Sequence, residues 1–235
     1  MKRKVNGLKF LDEKIIALRN EMREQEQHEL AQKQAALKEE QAPQEEPLQE
    51  EQSELQAIDL YQDFINIDEQ EVPVIDQRVM DGKISFRMPK LFSIMPAELA
   101  SLKYPSERRP NIIYTDESST INLAFNKTSH SLPDEGVAEF QENMIDVLEQ
   151  AQPAAQWFDT DVIKIDDKTV GFIEVMTPAI DGEIFNLMFF VSIDGKALIG
   201  TFNCTEEDTE AWRPIARAMM ETIQFASNGR GGVLR

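Results

Sequence analysis

The sequence predicts an α+β fold: a mostly antiparallel sheet in an α/β/α sandwich, preceded by a helical arm and an acidic linker. Three observations predict it. Between about residues 72 and 204, runs of alternating apolar and polar residues recur between short Asp-containing turns, the period-two signal of strands. Two segments, near 134–151 and 205–225, carry apolar residues at helical spacing instead. The first 56 residues show neither pattern for long and are rich in Gln and Glu. The boundaries that follow are a helical arm at 1–40, an acidic disordered linker at 41–71, the sandwich domain at 72–226 and a flexible tail at 227–235.

In the arm, Leu8, Leu11, Ile15, Leu18 and Met22 repeat at intervals of three and four, which places them on one helical seam. Two heptads are too few for a stable coiled coil, for which about three to four are needed. Three uses of the arm stay open: a solvated helix, a helix for a partner or for homo-oligomerisation, and a helix lying on a membrane surface through Lys2, Arg3, Lys4 and Lys9. Pro43 and Pro47 interrupt the linker. Within it, Leu55, Ile58, Tyr61 and Ile65 share a helical face, so a short helix is expected over 53–67, capped by Ser53. This acidic segment would either dock on the basic stretch that follows or form the first helix of the domain.

From Pro73 the pattern is that of strands. Val74–Val79 and Lys83–Met88 read as a hairpin, because Asp81-Gly82 supplies the positive φ of a type I′ turn. Ile112–Thr115 and Thr120–Asn126 flank a polar turn at 116–118, and Ile121, Leu123 and Phe125 alternate with Asn122 and Ala124. A helix follows over 134–151 with Val137, Phe140, Met144, Leu148 and Ala151 on one stripe. Four strands at 157–165, 169–177, 183–193 and 196–204 have links too short for crossovers, so they form an antiparallel meander. The third is apolar at nearly every position from Ile184 to Phe190 and should be covered on both faces. Thr205 caps a last helix, with Asp208 in the capping-box position, Pro214 as an expected break, and Trp212, Ile215, Met219 and Ile223 turned inward.

Charge narrows the function classes. The chain has 235 residues and a formal charge of −19, which opposes binding to nucleic acid or anionic membrane by the domain as a whole. That total hides structure: residues 1–23 carry +4, 24–77 carry −14, 78–109 carry +4 and 110–235 carry −13. No apolar run is long enough to span a bilayer, and Cys204 is the one cysteine. A cytoplasmic location is the expectation.

Residues for chemistry are sparse. His130, near Asp134 and Glu135, is the one base candidate in the domain, and its ordinary state is a solvated loop histidine. Cys204 ends a strand with no histidine nearby and reads as an inert buried thiol. The acids between Asp159 and Glu183 match no calcium loop, and no phosphate-binding, dinucleotide-binding or zinc-protease motif occurs. No cofactor and no metal site are expected. The basic stretch is the better site. Arg78, Lys83, Arg87, Lys90, Lys103, Arg108 and Arg109 fall within 32 residues, and the loop at 102–110 adds Tyr104. Tyr and Arg dominate interface energies, and paired arginines bind carboxylates bidentately. Tyr104, Arg108, Arg109, Arg87, Lys90 and Lys103 are therefore the partner-binding candidates. The competing reading has these cations pairing with the domain's own acids.

The segments GKISFRMPKLFSI (82–94), STINLAFNKT (119–128), KTVGFIEVMTP (168–178), IFNLMFFVSIDGKALIGTFNC (184–204) and AWRPIARAMMETIQF (211–225) resemble, in order and pattern, the PsbP/DcrB-like α/β/α sandwich group. The resemblance covers about residues 72–226. It implies a scaffold with mostly non-enzymatic binding roles: an extrinsic photosystem subunit, a Ran-binding import factor, bacterial lipoproteins and chaperones of secreted effectors. No functional residue transfers with it. The expectation is a non-enzymatic protein-interaction module, adaptor or chaperone-like, for a secreted or effector client. The alternative is a small-ligand carrier or enzyme with a closed pocket between sheet and helices.

Overall fold

The computed structural model describes residues 58–106, 109–179 and 182–226. The arm with its seam, the linker as far as residue 57, Arg108 and the tail lie outside the described residues.

Alternation in the sequence becomes two antiparallel sheets. The smaller consists of β1 (Phe64–Ile67), β2 (Gln70–Val79), β3 (Ile84–Pro89) and the C-terminal β11 (Gln224–Phe225), in that order. The larger has the order β4-β5-β6-β10-β9-β8-β7. Its members are β4 (Ser93–Ile94), β5 (Ile112–Thr115), β6 (Asn122–Ser131), β7 (Gln156–Ile165), β8 (Lys168–Ala179), β9 (Gly182–Ile193) and β10 (Lys196–Thr205). The predicted meander is therefore β7 to β10, each strand antiparallel to the next. Helices α1 (Ala97–Lys103) and α2 (Val137–Ala151) cover one face of the large sheet. Helix α3 (Thr209–Glu221) and the small sheet cover the other. The class is α+β with mostly antiparallel sheets, as the sequence predicts.

Period two explains the sorting of side chains in β9. Phe185, Leu187, Phe189, Val191 and Ile193 enter the core beneath α3, while Phe190 enters the separate cluster beneath α2 with Ile173 and Val175. Both faces of this strand are covered, which is why nearly every position tolerates only an apolar residue. Gly200 stands opposite Phe189 in β10, and a Cβ there would lie 2.0 Å from Phe189 Cζ, so the ring occupies the space the glycine leaves. Phe189 meets Phe125, and Phe125 meets Phe86, joining the large sheet to the small one through aromatic contacts.

Four expectations change. The described part of the predicted 53–67 helix is a turn followed by β1, and Asp68 and Glu69, both with positive φ, turn it into β2. Of that helical face Ile65 also fits the strand alternation, being buried together with Ile67, and pairing with β2 overrides local propensity. The hairpin turn between β2 and β3 begins earlier than Asp81-Gly82, because Met80, Asp81 and Gly82 all have positive φ and Gly82 N–H bonds Val79 O. Helix α3 runs through Pro214. The change of geometry falls before it, at a 3-10 turn over Glu206–Asp208, and the carbonyl that Pro214 leaves unbonded belongs to exposed Glu210. Thr205 and Asp208 do not cap the amides of that turn; the Thr205 hydroxyl donates to Asp208 Oδ2 at 2.6 Å.

Three further elements were not foreseen: strand β4, helix α1 and strand β11. Helix α1 includes Leu102 and Lys103, which the sequence assigns to the 102–110 loop, and it buries little beyond Ala100. Strand β11 closes the small sheet by pairing with Ile84 and Ser85.

Candidate functional site

Among the described residues, the basic stretch divides into cations held by acids or carbonyls of the domain and cations that meet no carboxylate. Lys83 reaches across from the β2–β3 turn to Asp194, which also receives Lys127 Nζ at 3.1 Å. The hydrogen bond between Lys83 and Asp194 raises the lysine pKa and holds the carboxylate below its usual range. Arg87 Nη2 donates to Gln62 O at 2.9 Å, and its Nε lies 3.7 Å from Asp76. Lys103 Nζ donates to Ser119 O, tying the end of α1 to the β5–β6 loop. Lys83 and Arg87 thus meet acids of the domain itself, whereas Lys103 meets a main-chain carbonyl.

Tyr104, at the C-cap of α1, is half-buried, and its hydroxyl pairs with Asn203. Burial pushes that hydroxyl above its ordinary pKa, with the Asn203 bond pulling the other way. Asn203 Oδ1 in turn accepts from Asn122 Nδ2 at 3.0 Å, and Asn122 Oδ1 accepts from Thr115 at 2.8 Å. The tyrosine packs against the small apolar cluster of Met95, Ala100, Ile113 and Ala124 that lies between α1 and the sheet.

Arg78, Lys90 and Arg109 stand differently. None has a carboxylate partner among the described residues; Arg109 Nη1 donates to the neutral Ser101 Oγ at 2.6 Å. Arg78 and Arg109 line one groove of about 840 Å³, open to solvent, between the end of β2 and the β4–α1 corner. Its surface is mostly apolar, from Val79, Ile94, Met95, Ala100, Ile112 and Ile113, and among the described residues Asp81 at the β2–β3 turn is the one carboxylate that lines it. Ile94 is 68% exposed there, a large apolar side chain left in water. Gln77 Nε2 bridges Tyr114 Oη and Arg78 O at 3.0 Å each, fixing the wall of the groove. The groove lies at sheet edges and not in a closed space between sheet and helices.

A second cationic site was missed by the sequence. Glu174, only 1% exposed, receives Arg213 Nε and Arg217 Nε at 2.8 Å each, and Arg217 Nη2 also reaches Asp159 at 2.7 Å. Arg217 stacks over Phe172 at 3.8 Å and Arg213 over Phe158 at 4.8 Å. Burial works against the Arg217 charge, but Asp159 and Glu174 outweigh it and hold its pKa above the usual value. The signal was present: one glutamate in the apolar run VGFIEVM, and two arginines four apart on the last helix. A further buried polar side chain, Gln141 on α2, donates to Asp161 O and Phe172 O. Gly171 allows that approach, since a Cβ there would lie 3.2 Å from Gln141 Cβ.

The catalytic candidates do not converge. Asp134, near His130 in sequence, accepts from the Thr169 amide and hydroxyl and from Lys164. Burial raises the Asp134 pKa, and these bonds more than reverse it, leaving it below the ordinary value. The exposed His130 ring packs against Phe140. Cys204 is buried, and desolvation pushes its thiol pKa up to about 12, which keeps it neutral and unreactive. Among the described residues no cluster of three or more His, Cys, Asp or Glu side chains is placed to hold a metal, and no helix is long and apolar enough to cross a membrane.

No family model matches the chain, and no curated protein matches it in sequence. Among solved structures it is similar to cyanobacterial PsbP (CyanoP) from Synechocystis sp. PCC 6803, at 10% identity and a TM-score of 0.48, over 65% of this chain and 92% of that one. It is also similar to LpqN, involved in cell envelope biogenesis of Mycobacterium tuberculosis, at 13% identity and a TM-score of 0.44, over 67% and 93%. PsbP belongs to the group that the sequence segments resemble. These likenesses concern the layout of the chain, and fold alone does not carry function.

Proposed function

We propose that the domain is a non-enzymatic, cytoplasmic protein-interaction module, adaptor or chaperone-like, that holds a client through the groove between β2 and the β4–α1 corner. One observation carries the reading: an open apolar groove flanked by two arginines that lack carboxylate partners among the described residues, on a chain of charge −19. Nearly every acid on this protein is a competitor for those guanidiniums, so a pair without one is a site where an external carboxylate gains a charge-assisted bond. Apolar area around the pair supplies the rest of the binding energy. A secreted or effector client is the specific version that the resemblance implies. The seam of the arm, Leu8 to Met22, would give a second contact or self-association.

Affinity capture with the full-length chain, comparing wild type with Arg78→Glu/Arg109→Glu, tests the reading. The expected result is a partner retained by wild type and lost by the variant, at an unchanged melting midpoint. A variant that keeps every partner overturns it.

A further inference from the structure

The backbone of β2 adds a feature that the arginines alone do not. The hydrogen bond from Val74 N–H to Asp63 O, at 2.8 Å, and that from Lys90 N–H to Pro73 O, also 2.8 Å, set the phase of the strand. Odd-numbered residues turn their amides and carbonyls to β3, and even-numbered ones turn theirs to the outer edge. Strand β1 pairs only with Gln70–Pro73, so Asp76 and Arg78 present an outer edge beyond its end. Their N–H groups have no partner among the described residues, and Arg78 O is held by the Gln77 side chain. An unpaired edge of this kind is a template for another strand. At Gln77 and Arg78 it borders the groove, which exposed Ile94 and Arg109 also line.

We propose that the groove takes an extended segment of another protein as an added strand on the outer edge of β2 at Asp76–Arg78, apolar side chains alternating with acidic ones. The proposal rests on the protein-interaction reading above and specifies its mode. Main-chain bonds to the Asp76 and Arg78 amides supply affinity, and the alternate side chains supply selectivity. Apolar residues of the added strand meet Ile94 and Ile112, and its carboxylates meet the two guanidiniums.

The test uses the full-length, isotopically labelled chain and a short capped peptide of alternating Val and Glu. Saturable shifts and slowed exchange are expected at the Asp76 and Arg78 amides. A peptide with Lys in place of Glu should not bind, and backbone N-methylation at alternate residues should weaken binding about tenfold or more, the loss expected from one or two main-chain bonds. Undiminished binding of the N-methylated peptide overturns strand addition. So does absence of peptide binding when capture of a partner still depends on Arg78 and Arg109; in both cases the interaction reading survives. Loss of Arg-dependent capture removes that reading as well. Protection of the two amides in protein alone, whether constant or rising with concentration, overturns the proposal in favour of the chain's own segment or a second copy.

Discussion

Two pairs of arginines stand on this domain in opposite circumstances. Arg213 and Arg217 close on buried Glu174, one of them also on Asp159, and both stack on phenylalanine rings. Arg78 and Arg109 line an open groove and meet no carboxylate among the described residues. The first pair is in a part of the protein that supplies all its own counter-charges; the second is where that supply stops. Net charge says nothing about this division. It depends on whether the fold brings an acid within reach, and in an acidic chain an unmatched arginine is the informative case.

The comparison breaks most sharply at Glu174. Replacing it with Ala leaves two guanidiniums partly buried against apolar rings, and a loss of about 3 kcal/mol is expected, the lower end for breaking a buried pair because both arginines can turn toward water. Chemical denaturation checks this, and a loss near zero would mean that the network contributes nothing to stability. A smaller and pH-dependent effect is expected at Asp134. Its folded pKa is lowered, so its contribution is present above the ordinary carboxylate range and is lost as pH falls through the folded value. Asp134→Asn should therefore destabilise by less than about 1 kcal/mol at neutral pH and flatten that part of the acid limb of stability against pH. Smallest of all is the effect of Arg78→Ala/Arg109→Ala on stability, expected within about 0.5 kcal/mol as for surface positions generally. A large loss there would show the groove pair to be structural like the other, and the contrast would fail.

What could be read in advance follows the range of the interactions. Strands β5, β6 and β8 to β10 were legible because burial on one or both faces forces an apolar pattern at every second residue or at all of them. Strand β7, exposed along nearly its whole length, was legible from the short Asp166-Asp167 turn that joins it to β8. Strand β1 was not, since an acidic segment with apolar residues at 58, 61 and 65 satisfies a helix as well as a strand until β2 is beside it. Helix α1 was missed because its seven residues bury little more than Ala100 and make no stripe. At the site, Arg109 fell within the candidate stretch, and Arg78 was noticed as part of its charge. The role expected for Tyr104 could not show that its hydroxyl pairs with Asn203, a residue from the far end of the meander. Glu174 and its arginines lay in separate elements, and no local pattern joins them before the sheet and α3 pack.

The placement of the two tryptophans has a practical consequence. Trp212 is buried between Phe92 and Phe202, at ring distances of 5.6 and 6.0 Å, whereas Trp157 is about a third exposed on edge strand β7. The native chain thus carries two intrinsic optical reporters of different character. Trp157 emits from a wet surface and yields to a polar quencher, while Trp212 emits from a rigid aromatic stack that gives near-ultraviolet dichroism and shifts to longer wavelength only when α3 leaves the sheet.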